Sequence, residues 1–307
     1  MRSDKLNDAI GEIRDDFIID SEVSGKNRAW VKWAAMAACL CLVVAGAFGI
    51  SKQPEAVQTP QPVGEYKVYT PSFVPPELRP GVQSDMIGCL VYNGAVYTQS
   101  IAFEGDNAVA EAMIGEYVGE AKGNLDEWTD KEVWKEDFAS TYEGSVYTVK
   151  GYDKSFRLCI WQKWYDGTQS LQLLDNYDGI GLNTGKDLFE DRLHIRNNVA
   201  QIKYLTHYDW NYESHIDRYK QFDKLTAEQF ESFIDELCGS EFVFIDYETM
   251  PDFYDTPTQG HLYLEMKDGT TVELRLIDGG YVGCQQLGWY FVKMPGEPFD
   301  AVLSACQ

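Results

Sequence analysis

The chain has 307 residues, of which 44% are hydrophobic and 14% aromatic, enough apolar material for a sizeable core and against wholesale disorder. Its 49 acids against 26 bases give a net charge of -23, which repels phosphate backbones and anionic lipid and argues against a nucleic-acid partner. Acidity of this size also keeps a domain soluble at a crowded surface.

Residues 4–19 read as a short amphipathic helix, with Leu6, Ile10, Ile13 and Phe17 recurring three and four positions apart and acids on the opposite face. So short a helix is marginal alone in water, so the stripe calls for a partner. An acidic polar face disfavours anionic lipid and leaves a cytoplasmic regulatory protein as the candidate.

From Trp33 to Ile50 no residue is charged. At ~1.5 Å per residue this gives about 27 Å of helix, close to the ~30 Å hydrocarbon core of a bilayer. Lys26, Arg28 and Lys32 precede the segment, while Lys52 follows it, so residues 1–32 are expected in the cytoplasm and the C-terminal part outside the cell membrane. Ala45-Gly46-Ala47 has the form of a signal-peptidase site, but the preceding leader would be long and carries seven acids from Asp4 to Glu22. An uncleaved single span over 33–50 is therefore expected. Residues 51–65, with Pro54, Pro60 and Pro62, read as an extended stalk.

Beyond the stalk the pattern predicts an α+β ectodomain of antiparallel, hairpin-rich sheets with a few helices, in two lobes over 66–183 and 184–307. Cys89–Tyr92, Asn93-Gly94 and Ala95–Thr98 form a hairpin signal, because Asn-Gly accepts the positive φ angles of a type I′ turn. Ser145–Val149 and Phe156–Trp161 read as strands. Asp175–Gly179 departs from a calcium loop at Tyr177 and reads as a turn. A helix is predicted from Ala227 to Cys238, with Thr226 and Gln229 as a capping box, Leu225 and Phe230 as a staple, and Gly239 as a left-handed cap. Leu262–Met266 and Thr270–Ile277 flank Asp268-Gly269 as a second hairpin. Strands at Tyr281-Val282 and Trp289–Val292 and a helix over Pro298–Ala305 complete the chain.

Cys89, Cys159, Cys238, Cys284 and Cys306 lie beyond the apolar segment, without Cys-x-x-Cys spacing, and read as buried hydrophobes instead of a disulfide or zinc framework. None of His194, His207, His215 and His261 has zinc-ligand spacing, and no nucleophile elbow, P-loop or dinucleotide fingerprint occurs. No cofactor is expected and the ectodomain is not expected to be an enzyme. The one segment that gathers suitable side chains is 207–215. Its Tyr208, Trp210 and Tyr212 could stack on sugar rings of a cell-surface or cell-wall carbohydrate, and its histidines lie near carboxylates. A solvated loop with aromatics tucked into the core is the plainer account.

Leu6–Ile13, Trp33, Ala37–Val44, Gly115–Gly119, Gly144–Gly151 and Asp268–Val272 together resemble a group of clostridial-type single-pass membrane proteins. The layout is similar to membrane-anchored anti-sigma factors, which pair a cytoplasmic helical region with one span and an outer sensor. That similarity implies a non-enzymatic transmembrane regulator, with a sigma factor as the partner of Leu6, Ile10, Ile13 and Phe17.

Overall fold

In a computed structural model of the protein, the described residues are 66–75, 86–104, 108–211, 219–256 and 259–307. The tail helix with Leu6, Ile10, Ile13 and Phe17, the span over 33–50 and the stalk lie outside them. Among the described residues no helix is long and apolar enough to cross a membrane.

The hairpin at Asn93-Gly94 opens the first sheet. Both turn residues have positive φ, 52° and 76°, joining β2 (Cys89–Tyr92) to β3 (Ala95–Glu104). A short helix, α1 (Ala108–Met113), leads to β4 (Ile114–Lys122). Then come β5 (Glu143–Val149), β6 (Arg157–Lys163) and β7 (Gln169–Asn176). These strands form a six-stranded antiparallel sheet in the order β2-β3-β7-β6-β5-β4. Strand β1 (Val68–Tyr69) pairs with β8 (Gly181–Leu182) as a separate two-stranded ladder.

The second sheet has seven strands, in the order β10-β9-β12-β13-β14-β15-β11. They are β9 (Val199–Thr206), β10 (Lys220–Gln221), β11 (Phe242–Phe244), β12 (Gln259–Met266), β13 (Thr271–Ile277), β14 (Tyr281–Cys284) and β15 (Tyr290–Lys293). Three helices accompany it: α2 (His207–Asn211), α3 (Ala227–Gly239) and α4 (Glu297–Ala305). The architecture is therefore sheet-rich α+β with antiparallel pairing throughout. Alternation along β12 decides the faces. Leu262, Leu264 and Met266 join the main core with Phe233 and Leu237 of α3 and Phe299 of α4, while His261, Tyr263 and Glu265 occupy the opposite face.

α3 starts where its capping box predicts. Thr226 Oγ1 accepts from the Gln229 N–H at 3.2 Å, and Gln229 Oε1 accepts from the Thr226 N–H at 2.9 Å. Its end differs from expectation: Gly239 is the last helical residue and does not take the left-handed conformation. Ser240 turns the chain out at φ -85° and ψ 153°, its N–H still bonded to the Glu236 carbonyl.

All described residues belong to one compact unit, and its largest core draws on both sheets. Phe156, Tyr177 and Leu182 from the first half pack with α3, α4 and strands β12–β15. At this junction Arg157 and Asp175, only 2% and 1% exposed, form a bidentate pair with Nε–Oδ1 at 2.6 Å and Nη2–Oδ2 at 2.7 Å. The Tyr152 ring lies 4.3 Å from the guanidinium carbon, and its hydroxyl donates to Asp268 Oδ2 at 2.7 Å on the β12–β13 turn. One tyrosine thus touches the ion pair of the first sheet and the turn of the second.

Cys89, Cys159, Cys238, Cys284 and Cys306 are free and buried. Burial pushes the thiols of Cys89, Cys159, Cys284 and Cys306 up to about 12.

Candidate functional site

Segment 207–211 is not a loop. Strand β9 runs directly into α2, where Thr206 Oγ1 accepts from the Asp209 N–H at 3.1 Å and donates to the Asp209 carboxylate at 2.8 Å. This capping turns Trp210 onto the outer face of the second sheet. Its indole lies parallel to the His261 ring, with centroids 4.5 Å apart and planes 4° apart. His207 is parallel to His261 as well, at 6.1 Å. Arg275 is the cross-strand partner of His261 and places its guanidinium carbon 5.4 Å from the Trp210 ring and 4.4 Å from that of Tyr254. Arg275 Nε and Nη2 both donate to Gln259 Oε1, at 3.1 and 2.8 Å. Gln259 in turn donates to the Tyr254 and Thr256 carbonyls at 2.8 and 2.6 Å.

The structure thus brings Trp210 together with His207 and His261, and leaves Tyr208 two-thirds exposed at the surface. Tyr212 and His215 lie outside the described residues, and His194 stacks on Tyr152 elsewhere. One face of the indole is taken up by the protein's own imidazole, so Trp210 does not present two free faces to a sugar. The histidine–carboxylate pair is His261 with Glu273, Nδ1 to Oε1 at 3.5 Å, and His261 is fully buried beneath Trp210. Glu273 also accepts from the Tyr263 hydroxyl at 3.3 Å. A substrate would have to displace the indole to reach that imidazole. Among the described residues no group of three or more His, Cys, Asp or Glu side chains is placed to hold a metal ion.

The electrostatics of α2 give a pH signature. Burial, then the neighbouring His261 and Arg275, hold the His207 imidazole below its ordinary 6.5. A bond from Lys220, against partial burial and with help from Thr206, holds the Asp209 carboxyl below its ordinary 3.8. For both groups the unfolded chain binds protons more tightly, so acid favours unfolding. Stability from His207 is complete above about pH 6.5 and falls as pH drops toward its lowered folded value. Asp209 adds a second loss below about pH 4. Urea denaturation midpoints are expected to be flat above about pH 7 and to decline as pH falls below about 6.5, and His207→Phe should flatten that decline. An unchanged slope in the variant would rule His207 out as its source.

A second feature was not apparent from the sequence. Between α3 and β9 lies a groove of about 420 Å³, lined chiefly by Val199, Ile202, Phe222, Leu225, Phe230 and Ile234. Val199, Ile202, Phe222 and Leu225 are only partly buried and back onto the main core. The staple pair Leu225 and Phe230, predicted as a helix-start device, therefore also supplies part of a wall. The volume falls within the range of small-ligand and side-chain pockets. Set against known proteins, the chain matches no family model, no curated protein and no solved structure.

Proposed function

We propose that the chain is a non-enzymatic, single-pass membrane protein whose residues 66–307 bind a ligand outside the cell and whose tail acts on a cytoplasmic protein. The groove beside α3 carries the binding half of this reading: it is a recess with an apolar floor of partly exposed side chains, Val199, Ile202, Phe222 and Leu225, and a polar rim. The sealed state of His261 also favours binding over proton transfer. The uncharged stretch 33–50 and the bases before it support the anchor, and the apolar stripe Leu6, Ile10, Ile13 and Phe17 supports helix-in-groove docking of the tail to a regulator such as a sigma factor. A carbohydrate module built on Tyr208 and Trp210 is the weaker reading, because the indole already stacks on His261.

Protease shaving of intact cells should release a fragment containing 66–307 and leave residues 1–32 protected. A mature N-terminus at Phe48, or digestion of the tail, would overturn the anchor. Crosslinking with the tail as bait should recover a sigma factor that Ile10→Asp, Phe17→Asp loses, since docking would bury two new charges. Equal recovery by both baits would remove the tail from the proposal.

A further inference from the structure

The groove between α3 and β9 has a property that an ordinary ligand pocket lacks: one wall is an incompletely paired strand edge. On its inner side β9 is bonded to β12 along its length. On its outer side β10 pairs only with Lys203 and Tyr204, and the Phe222 N–H then reaches the Ile202 carbonyl at 3.2 Å. Among the described residues no strand lies beyond that point, beside Val199–Gln201. The register with β12 also slips here, from Glu265↔Gln201 to Met266↔Val199, so Ala200 has no partner on that strand either. Ala200 and Gln201 are exposed, and both line the groove. Main-chain donors and acceptors therefore stand beside a recess the size of an apolar side chain or two, with a helix as the far wall.

Charge narrows the occupant. Glu231 stands exposed on the helix wall, one turn after the exposed Glu228. The base on the rim, Lys267, is already committed through its ammonium to the Asn197 carbonyl at 2.8 Å. The helix wall is therefore acidic, with Lys267 keeping its charge on the opposite rim, on a chain of net charge -23. The protein's own stalk is a poor occupant, because its Pro-free stretch 55–59 offers the acid Glu55 and no base to set against Glu231.

Building on the reading of 66–307 as a binding domain, we propose that this groove takes an extended segment of another protein. The segment adds to the β9 edge at Val199–Gln201, lowers one large apolar side chain between Ile202 and Phe230, and sets a Lys or Arg against Glu231. Main-chain bonds supply affinity in this mode, while the pocket and the acid supply selectivity.

The test uses the full chain in detergent micelles and fluorescent decapeptides with a central Leu, Ile, Phe or Met. One set is flanked by Lys or Arg and another by Glu. The basic set is expected to bind, and the acidic set at least tenfold more weakly. N-methylation of alternate peptide amides should weaken binding tenfold or more in one register and little in the other, as a strand requires. Ala227→Trp fills the groove from an exposed helix position and should abolish binding with the urea midpoint unchanged. Glu231→Lys should reverse the flank preference. Binding indifferent to N-methylation would overturn the proposal in favour of a small apolar ligand, with the domain still a binder. Concentration-dependent self-association lost in Ala227→Trp, without peptide binding, would assign the groove to a second copy. Failure of every peptide at millimolar concentration, with no self-association, would overturn it outright.

Discussion

Asp175→Ala should lower the unfolding free energy of the 66–307 unit by about 3–5 kcal/mol, read from urea denaturation. Removing the carboxylate leaves the Arg157 guanidinium 2% exposed with its bidentate partner gone. Arg157 cannot escape by losing its proton, because a guanidinium stays charged in a protein even when buried and unpaired. Its Nη1 already lacks a hydrogen-bond partner, so the cation–π contacts with Tyr152 and Phe156 are what remain to it. A domain of ordinary stability holds about 5–15 kcal/mol, so the variant should be on the edge of folding at 37 °C. The double variant Arg157→Met, Asp175→Leu should recover most of the loss, since replacing both members of a buried pair by apolar groups is often close to neutral. If the double variant is no better than the single, the damage lies in packing and not in the orphaned charge.

The second large effect is steric. Gly185 sits at the start of the π-helical turn Lys186–Glu190, where the chain passes against the end of α3. A Cβ there would lie 1.9 Å from the Leu237 carbonyl oxygen and 2.8 Å from its carbon, both backbone atoms that cannot rotate away. The Gly185 N–H also bonds the Ser240 carbonyl at 2.9 Å, which fixes the approach. With φ at -53° and ψ at -26°, any residue could adopt the conformation, so the whole cost is overlap. Gly185→Ala is expected to destabilise by about 3 kcal/mol or more. Gly239→Ala is the control: a Cβ there meets nothing within 4 Å, and the residue is helical. It should be neutral or stabilising by up to about 1 kcal/mol. Equal effects from the two substitutions would refute the close approach.

Hairpins with strong turn chemistry were legible in the sequence. Asn93-Gly94 and Asp268-Gly269 each carry the positive-φ residue that a tight reversal needs, and Gly269 has φ 87°. The capping box at Thr226 was legible for the same reason, a local bond between neighbours. β7 was not, because it lies between β3 and β6 with both faces covered. Its Ser-Leu-Gln-Leu-Leu-Asp run is buried throughout, so the alternation that betrays a half-exposed strand is missing. At the candidate site the residues of 207–211 were visible, but their partners were not. His261 and Arg275 meet Trp210 only through the β9–β12–β13 pairing, which leaves no trace in local spacing. The groove was hidden similarly, since a strand that stops short of its neighbour is a property of the sheet.

The five solitary thiols of the folded unit have a consequence for where it can form. Each is buried and forms no disulfide, so folding itself transfers no electrons at sulfur. The folded state therefore gains nothing from oxidation, and an oxidising glutathione poise can act only against folding, through the unfolded chain. With four of the thiols pushed up to about 12, thiolate is scarce at neutral pH and exchange with outside disulfides is slow once the core has closed. The unfolded chain has no such protection. An oxidising compartment thus acts on this protein during the interval before closure, when a wrong cystine would have to be undone before Cys284 and Cys306 could take their places in the core.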